Sequence, residues 1–424
     1  MKKTLSLMLV LALMLALLSG CGGSGTSTDA GSTADTAKTD TADAPDDKTP
    51  AEDANDGKEE TSDTEDAGAG AAGGTFMLGG IGPMTGGAAQ YGIAAMTGAQ
   101  IAVDEINALG GDIQFEFQAE DDQHVADISV NAYNSLKDWG MQILVGCVTT
   151  APCLAVSAEA YNDRIFALTP SASSEDVTAG KDNLFQMCFT DPNQGASGAE
   201  YISENFPEAK IAVIYKNDDA YSVGIRDAFA AKMGDAIVYE GTFTEDTQTD
   251  FSVQVAAAQA AEADVVYLPM YYQPATVILT QAKAIGYAPT FIGVDGMDGI
   301  LDQEGFDASL AEGVLVMSPF AASSTDDLTV NFVTEYQSRQ NQLPNQFAAD
   351  AYDCVYAIYE AIQAGGITAD MSNEEICDKL IGGFTSDSFS YSGLTGQGMT
   401  WSANGEIAKL PMAFLIKDGV YTTP

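Results

Sequence analysis

The chain has 424 residues, 46% of them hydrophobic, and sets 61 acidic side chains against 17 basic ones for a formal charge of −44. A polyanion of this kind is repelled by nucleic acid, and no basic stripe or stacked-aromatic module argues otherwise, so nucleic acid is excluded as a partner. One histidine, His124, leaves no room for a nucleophile–histidine–acid set, and no spacing among the six cysteines suits a zinc site, so neither an enzyme nor a metal protein is expected.

In chain order, Lys2 and Lys3 precede the apolar run LSLMLVLALMLALL, and small residues follow it before Cys21. A core this short with small residues behind it has the layout of a secretory signal peptide and not of a stop-transfer helix. Leu18-Ser19-Gly20-Cys21 resembles the lipobox of bacterial lipoproteins. That resemblance makes residues 1–20 a lipoprotein signal peptide and Cys21 a diacylated N-terminus on the outer face of the cytoplasmic membrane. Residues 21–74 turn to Gly, Ser, Thr, Ala and acids, with fourteen acids against three lysines between Gly22 and Gly74 and no aromatic residue. Such a segment cannot bury enough apolar surface to offset the entropy of ordering, so it reads as a tether with a root-mean-square reach of about 40 Å. No later segment is apolar for long enough to span a bilayer, which leaves the lipid as the membrane attachment.

The remaining residues, some 350, suit two lobes of ordinary domain size. Short β-rich runs alternate with helical patterns: Thr75–Gly80, Ile113–Ala119, Ile143–Val145, Ile165–Leu168, Ile211–Tyr215, Ala236–Glu240, Val265–Pro269, Thr290–Gly293 and Gly313–Met317 read as strands. Between them, stretches such as YGIAAMTGAQIAVDEINALGG carry apolar residues three and four apart and close on glycine. That alternation predicts βαβ units, hence an α/β fold of doubly wound, mainly parallel sheets.

In such sheets ligands bind beyond the carboxyl ends of the strands. There the chain places GPMTGGAAQYG, Gly146-Cys147-Val148-Thr149-Thr150, Thr169-Pro170-Ser171-Ala172-Ser173, Lys216-Asn217-Asp218-Asp219-Ala220-Tyr221, Met270-Tyr271-Tyr272 and Val294-Asp295-Gly296. Hydroxyls, helix N-termini, aromatic rings and one carboxylate thus come from both halves of the chain. A zwitterion leaving water needs donors at its carboxylate and a charge or carbonyls at its ammonium, and the helices starting after Gly146 and Pro170 offer donors with a dipole suited to an anion. The same hydroxyls would serve as routine helix caps and Asp295 as a turn residue. His124 reads as a surface loop residue. The glycines Gly80, Gly82 and Gly86 do not have dinucleotide-loop spacing, so no cofactor is expected.

With these segments on the page, the chain from about Thr75 onward resembles the leucine/isoleucine/valine-binding protein family of ABC transporters. The resemblance rests on GPMTGGAAQYG followed by GAQIAVDEINALGG, on the Thr-Pro-Ser-Ala-Ser turn, and on VVYLPMYYQPATVILTQAKAIGYAPTFIGVDG. It implies a type I periplasmic-binding fold, two lobes joined by a three-strand hinge with the ligand cleft between them, and a monomeric carrier of an amino acid, branched-chain by default, to the permease. It also implies that Thr149 and Thr150 hold the ligand carboxylate. The Ala172 carbonyl, the Ser173 hydroxyl and Asp295, where the family usually has Glu, would meet the ammonium. Tyr91, Tyr221 and Tyr271, with Phe347, would wall the side-chain pocket. A family disulfide has lost a partner, since AEDDQHV carries no cysteine, leaving Cys147 to pair differently or stay reduced. The expected lobes are 75–190 with 320–391 and 191–319 with 392–424, crossing near Phe189, Ser318 and Ser392. A sensory receptor of the same fold, signalling to a membrane partner, is the alternative.

Overall fold

The computed structural model describes residues 72–423; the expected signal peptide, the expected anchor at Cys21 and the expected tether up to residue 71 lie outside them. The first half runs β1 (Gly74–Gly82), α1 (Ala89–Ala108), β2 (Ile113–Asp121), α2 (Ala126–Trp139), β3 (Ile143–Gly146), α3 (Thr150–Asp163), β4 (Phe166–Thr169) and β5 (Leu184–Gln186). These strands form one parallel sheet in the order β2-β1-β3-β4-β5. Alternate residues feed cores on its two faces: Phe76, Leu78, Ile143, Val145, Phe166 and Leu168 on one, Ile81, Leu144 and Ala167 on the other. Burial on both faces is why β3 and β4 read as continuous apolar runs, whereas β2, at the sheet edge, alternates apolar with polar residues. Each large aliphatic or aromatic side chain so buried stabilises the fold by about 1.5–3 kcal/mol.

The second sheet is built from α4 (Asp191–Asn205), β6 (Ile211–Lys216), α5 (Ala220–Met233), β7 (Ile237–Phe243), α6 (Ser252–Ala260), β8 (Val265–Leu268), α7 (Tyr272–Ala284), β9 (Thr290–Gly293) and β10 (Leu315–Ser318). The chain then returns to the first sheet with α8 (Asp327–Gln340), α9 (Gln346–Gly365) and α10 (Asn373–Phe384), and ends in β11 (Met412–Lys417) and β12 (Val420–Thr422). The second sheet has the order β12-β11-β10-β9-β8-β6-β7, parallel except that β11 and β12 run antiparallel at one edge. Helix α9 lies along α1, where a Cβ on Gly98 would stand 1.9 Å from the Ala348 carbonyl oxygen, so only glycine lets the two helices approach this closely.

In each sheet the winding reverses beside a central strand, at β1/β3 and at β6/β8. The loops leaving those strands diverge, which opens a crevice at their carboxyl ends. The two crevices face one another.

Two observations differ from the sequence expectations. Residues 72–74, expected in the tether, are part of the fold, with Gly73 N–H donating to the Ile367 carbonyl and Gly74 opening β1. The expected third crossing near Ser392 lies instead at about residues 409–411. Tyr391, Leu394 and Thr395 bond to Asp353 of α9, and the Trp401 indole N–H donates to the Gln186 carbonyl of β5 at 2.8 Å, so residues 392–409 stay with the first sheet. Only β11 and β12 join the second. Cys147, Cys153, Cys188, Cys354 and Cys377, whose pairing the sequence leaves open, are all free thiols in the structure, each buried.

Where the first and third crossings meet, a buried ion pair joins them. Lys409 Nζ donates to Asp350 at 2.6 Å, to Thr395 Oγ1 at 2.6 Å and to the carbonyl of Met187 at 3.0 Å. Asp353 accepts from Tyr391 Oη and from the Leu394 and Thr395 amides. Burial, relieved only in part by Lys409, holds the Asp350 carboxyl above its ordinary range.

Candidate functional site

The loop after β1 is held by Asp121 at the end of β2, whose carboxylate accepts from the Met84 amide at 2.7 Å and the Thr85 hydroxyl at 2.5 Å. It delivers Tyr91 in the first turn of α1, fully buried against the opposite lobe. The Tyr91 hydroxyl donates to the Gly296 carbonyl and accepts from the Tyr272 amide at 3.2 Å, both in the second lobe. Its ring packs 4.6 Å from Phe347 and 5.6 Å from Tyr271, centroid to centroid.

After β3, Thr149 occupies the N-cap position of α3, yet its side chain makes no capping bond. Its hydroxyl lies 2.8 Å from Nδ1 of His124. Thr150 begins the helix, and its buried Oγ1 has no protein partner. Buried polar atoms are almost always satisfied, so such a group at a helix start is suited to a ligand or a water. The loop after β4 is laced to the loop after β3: Ser171 Oγ donates to the Val148 carbonyl at 2.6 Å, and Thr169 Oγ1 to that of Cys147 at 2.6 Å.

From the second lobe comes Asp295, opening a 3-10 turn after β9 (Asp295–Met297). Its Oδ1 accepts from the Tyr221 hydroxyl at 2.5 Å and the Gly296 amide at 2.8 Å; its backbone N–H donates to Gln194 Oε1 at 3.1 Å, and its carbonyl accepts from Gln346 Nε2 at 2.9 Å. Burial pushes the Asp295 carboxyl up to about 6, although the Tyr221 and Gly296 bonds pull the other way. Burial also raises the phenols of Tyr91, Tyr221 and Tyr271 well above their ordinary range, so all three stay neutral. Tyr221 and Tyr271 stack nearly parallel at 4.7 Å. A Cβ on Gly296 would stand 2.5 Å from the Tyr221 hydroxyl, which explains a glycine there.

These groups meet around a small cavity lined by Tyr91, Val148, Thr149, Ser171, Tyr221, Tyr271, Asp295, Gly296 and Phe347. Its free volume is about 10 Å³, room for about one water, so the lobes must part to admit a solute. Of the residues singled out in the sequence, Tyr91, Thr149, Tyr221, Tyr271 and Asp295 meet at this cavity, with Thr150 just behind Thr149.

Ala172 and Ser173 do not line it. The Ala172 carbonyl accepts from Gln186 Nε2 at 2.8 Å, and the Ser173 hydroxyl donates to Asp191 at 2.7 Å, so both are directed to partners within the protein, although each oxygen keeps a free acceptor site. Ser171 faces the cavity in their place. Reading the sequence also missed Asp191 and Gln194, which start α4 immediately after the first crossing, and His124, which sits at the seam between lobes and not on an open surface loop. Asp191 is buried with one unpartnered oxygen, and burial holds its carboxyl well above the ordinary range. The signal available for it was Thr190-Asp191-Pro192, a helix start at the point where the chain changes lobe.

A cavity closed by two doubly wound lobes invites comparison with known proteins, and a family model described as periplasmic binding protein matches residues 75–408. The chain belongs to that family. It is a family of substrate-binding proteins, not of enzymes. A relative from Brucella melitensis, Leu/Ile/Val-binding protein homolog 3, is 29% identical over 308 residues, covering 71% of this chain and 82% of its own. The Leu/Ile/Val-binding protein of Escherichia coli K12 is 27% identical over 292 residues, 67% of this chain and 77% of its own. Together they place the chain with the leucine/isoleucine/valine-binding members of the family. Among solved structures, the branched-chain amino acid transporter substrate-binding protein LivJ of Streptococcus pneumoniae, in complex with isoleucine, superposes with a TM-score of 0.73 at 28% identity, covering 82% of this chain and 98% of that one. The type I periplasmic-binding fold and a solute-binding role follow.

Proposed function

We propose that this protein is the solute-binding lipoprotein of an ABC importer, capturing a branched-chain amino acid by closure of its lobes and delivering it to the permease. Supporting this reading is one observation above the others: a small cavity bounded by the start of α3 on one lobe and by buried Asp295 on the other. The helix N-terminus, with Thr149 and Thr150, suits a carboxylate. Asp295 suits an ammonium. The rings of Tyr91, Tyr271 and Phe347 suit an aliphatic side chain of limited length, and the Tyr91 and Tyr221 phenols are already engaged with Gly296, Tyr272 and Asp295. The lobes are residues 72–190 with 320–409, and 191–319 with 410–424. Lipidation at Cys21 and the acidic tether hold the receptor beside its transporter and raise its effective concentration there.

A ligand that binds only the native state adds about 2.7 kcal/mol of stability at a hundred times its Kd. Leucine, isoleucine or valine is therefore expected to raise the melting temperature of the purified protein by several degrees in a screen of the twenty common amino acids. A flat response to all twenty at millimolar concentration would refute the amino-acid reading.

A further inference from the structure

His124 lies between β2 and α2 in a loop that fixes its side-chain direction. Gln123 and His124 both adopt left-handed backbone (φ 54° and 62°), the Gln123 amide donates to Asp121 at 3.0 Å, and the His124 amide to Asp122 at 2.8 Å. So held, the ring has neighbours in both lobes. On its own lobe, Nδ1 stands 2.8 Å from Thr149 Oγ1; across the cleft, the ring meets Tyr271 edge-on at 5.4 Å and 83°. Thr149 forgoes the capping bond that its position offers, and its hydroxyl turns to the imidazole instead.

A threonine hydroxyl has one proton and two acceptor sites, so its partner decides what it can offer a ligand. If Nδ1 accepts, the proton is spent. If Nδ1–H donates, the proton remains free for an anion. We infer that His124 is a positioning residue: its Nδ1–H donates to Thr149 Oγ1 and so reserves the Thr149 proton for the carboxylate of the bound solute, while its ring seats against Tyr271 as the lobes close. This inference rests on the amino-acid reading of the cleft. The ionisable groups around the ring are Asp121 and Asp122 on its own loop, Lys216 at the end of β6, Glu245 in the turn after β7, and the Tyr271 phenol. Lys216 is paired with Glu245 at 2.6 Å. Burial, then the charge of Lys216, pushes the imidazole down to about 4, so in the closed cleft the ring is neutral and carries its single proton. That proton belongs on Nδ1.

Asn and Asp tolerate left-handed backbone better than other non-glycine residues, so His124→Asn and His124→Asp keep the loop and differ in one respect. The amide donates to Thr149, whereas the carboxylate only accepts. By isothermal titration with L-leucine, His124→Asn is expected to bind within about threefold of wild type and His124→Asp roughly 10–100-fold more weakly, the range for a hydrogen bond to a charged group. With L-leucinamide, which has no carboxylate, the two variants are expected to agree within about threefold. In a Thr149→Val background the penalty of His124→Asp is expected to shrink to about threefold or less. Equal losses for leucine and leucinamide, or an undiminished penalty without the threonine hydroxyl, would overturn the inference, as would leucine binding by His124→Asp at wild-type strength.

The pH profile is a second test that needs only His124→Asn. Closure disfavours the protonated ring, so wild type should lose leucine affinity more steeply than His124→Asn as pH falls from 6.5 towards 4. Parallel profiles overturn the part assigned to closure. Wild-type protein that ignores leucine defeats the amino-acid reading first, a result distinct from any of these.

Discussion

Asp295 brings a carboxylate to a place where water does not compete, with Tyr221 and the Gly296 amide holding one of its oxygens in a fixed direction. Replacing it with Asn keeps the shape and removes the charge, leaving an ammonium in the cleft without its counter-charge. Truncating one partner of a buried charge pair costs about 2–5 kcal/mol, so Asp295→Asn is expected to weaken amino-acid binding by roughly 30-fold or more by calorimetry. Unchanged affinity would remove Asp295 from the site. The residue's position was legible because it follows an apolar strand and precedes a glycine. What Ala172 and Ser173 do was not legible, since their partners Gln186 and Asp191 lie 14 and 18 residues away, the second of them across the first crossing. Nothing local in Thr-Pro-Ser-Ala-Ser says which of its groups the rest of the protein will claim. His124 was missed for the same reason, as its meaning depends on Thr149 and on Tyr271 in the other lobe.

Strands flanked by helices announced themselves through their apolar runs, whereas β5, with three residues, is too short to show a period. The β11–β12 hairpin did leave a signal. Asp418-Gly419 is a favoured two-residue hairpin turn, and both residues take left-handed backbone (φ 53° and 75°) as that turn demands. Misplacing the third crossing at Ser392 has a related cause: residues 391–409 have little regular structure, so periodicity says nothing about which lobe they join. Side chains decide it, above all Lys409, which ties the third crossing to Asp350 of α9 and to the Met187 carbonyl of the first. Lys409→Met would leave Asp350 buried without its cation, and the expected loss of stability is about 3–5 kcal/mol by urea denaturation. A loss under about 1 kcal/mol would mean that this pair does not anchor the crossings.

Across the whole molecule, burial sets an unusual acid balance. It pushes the carboxyls of Asp219, Asp295 and Asp298 up to about 6 and that of Asp122 up to about 7. A raised carboxyl binds its proton more tightly in the folded state, so the stability it contributes is fully present below the ordinary value near 4 and is lost as pH rises through 6 to 7. His124, pushed down to about 4, has the opposite sign: its contribution is present above about 6.5 and is lost as pH falls through 4. Asp350 and Asp191 are raised as well, and the lowered carboxyls, such as Asp326 at about 2, lose their contribution only below pH 5; on a chain of formal charge −44 whose self-repulsion grows with pH, the balance between pH 5 and pH 8 favours the acid side. Without ligand the melting temperature is expected to be higher at pH 5 than at pH 8 by differential scanning calorimetry. A rise from pH 5 to pH 8 would contradict the burial of these acids.

Tyr91 reaches across to Gly296 and Tyr272, the Tyr272 hydroxyl reaches back to the Gly87 carbonyl at 2.9 Å, and Gln346 spans to Asp295 and Asp298. All of these are bonds between one half of the polypeptide and the other, with no solute involved. Parting the lobes would hand these groups to water, so they are exchanged and not simply lost when the cleft opens. The same polar groups thus fasten the two halves in one arrangement and face solvent in the other.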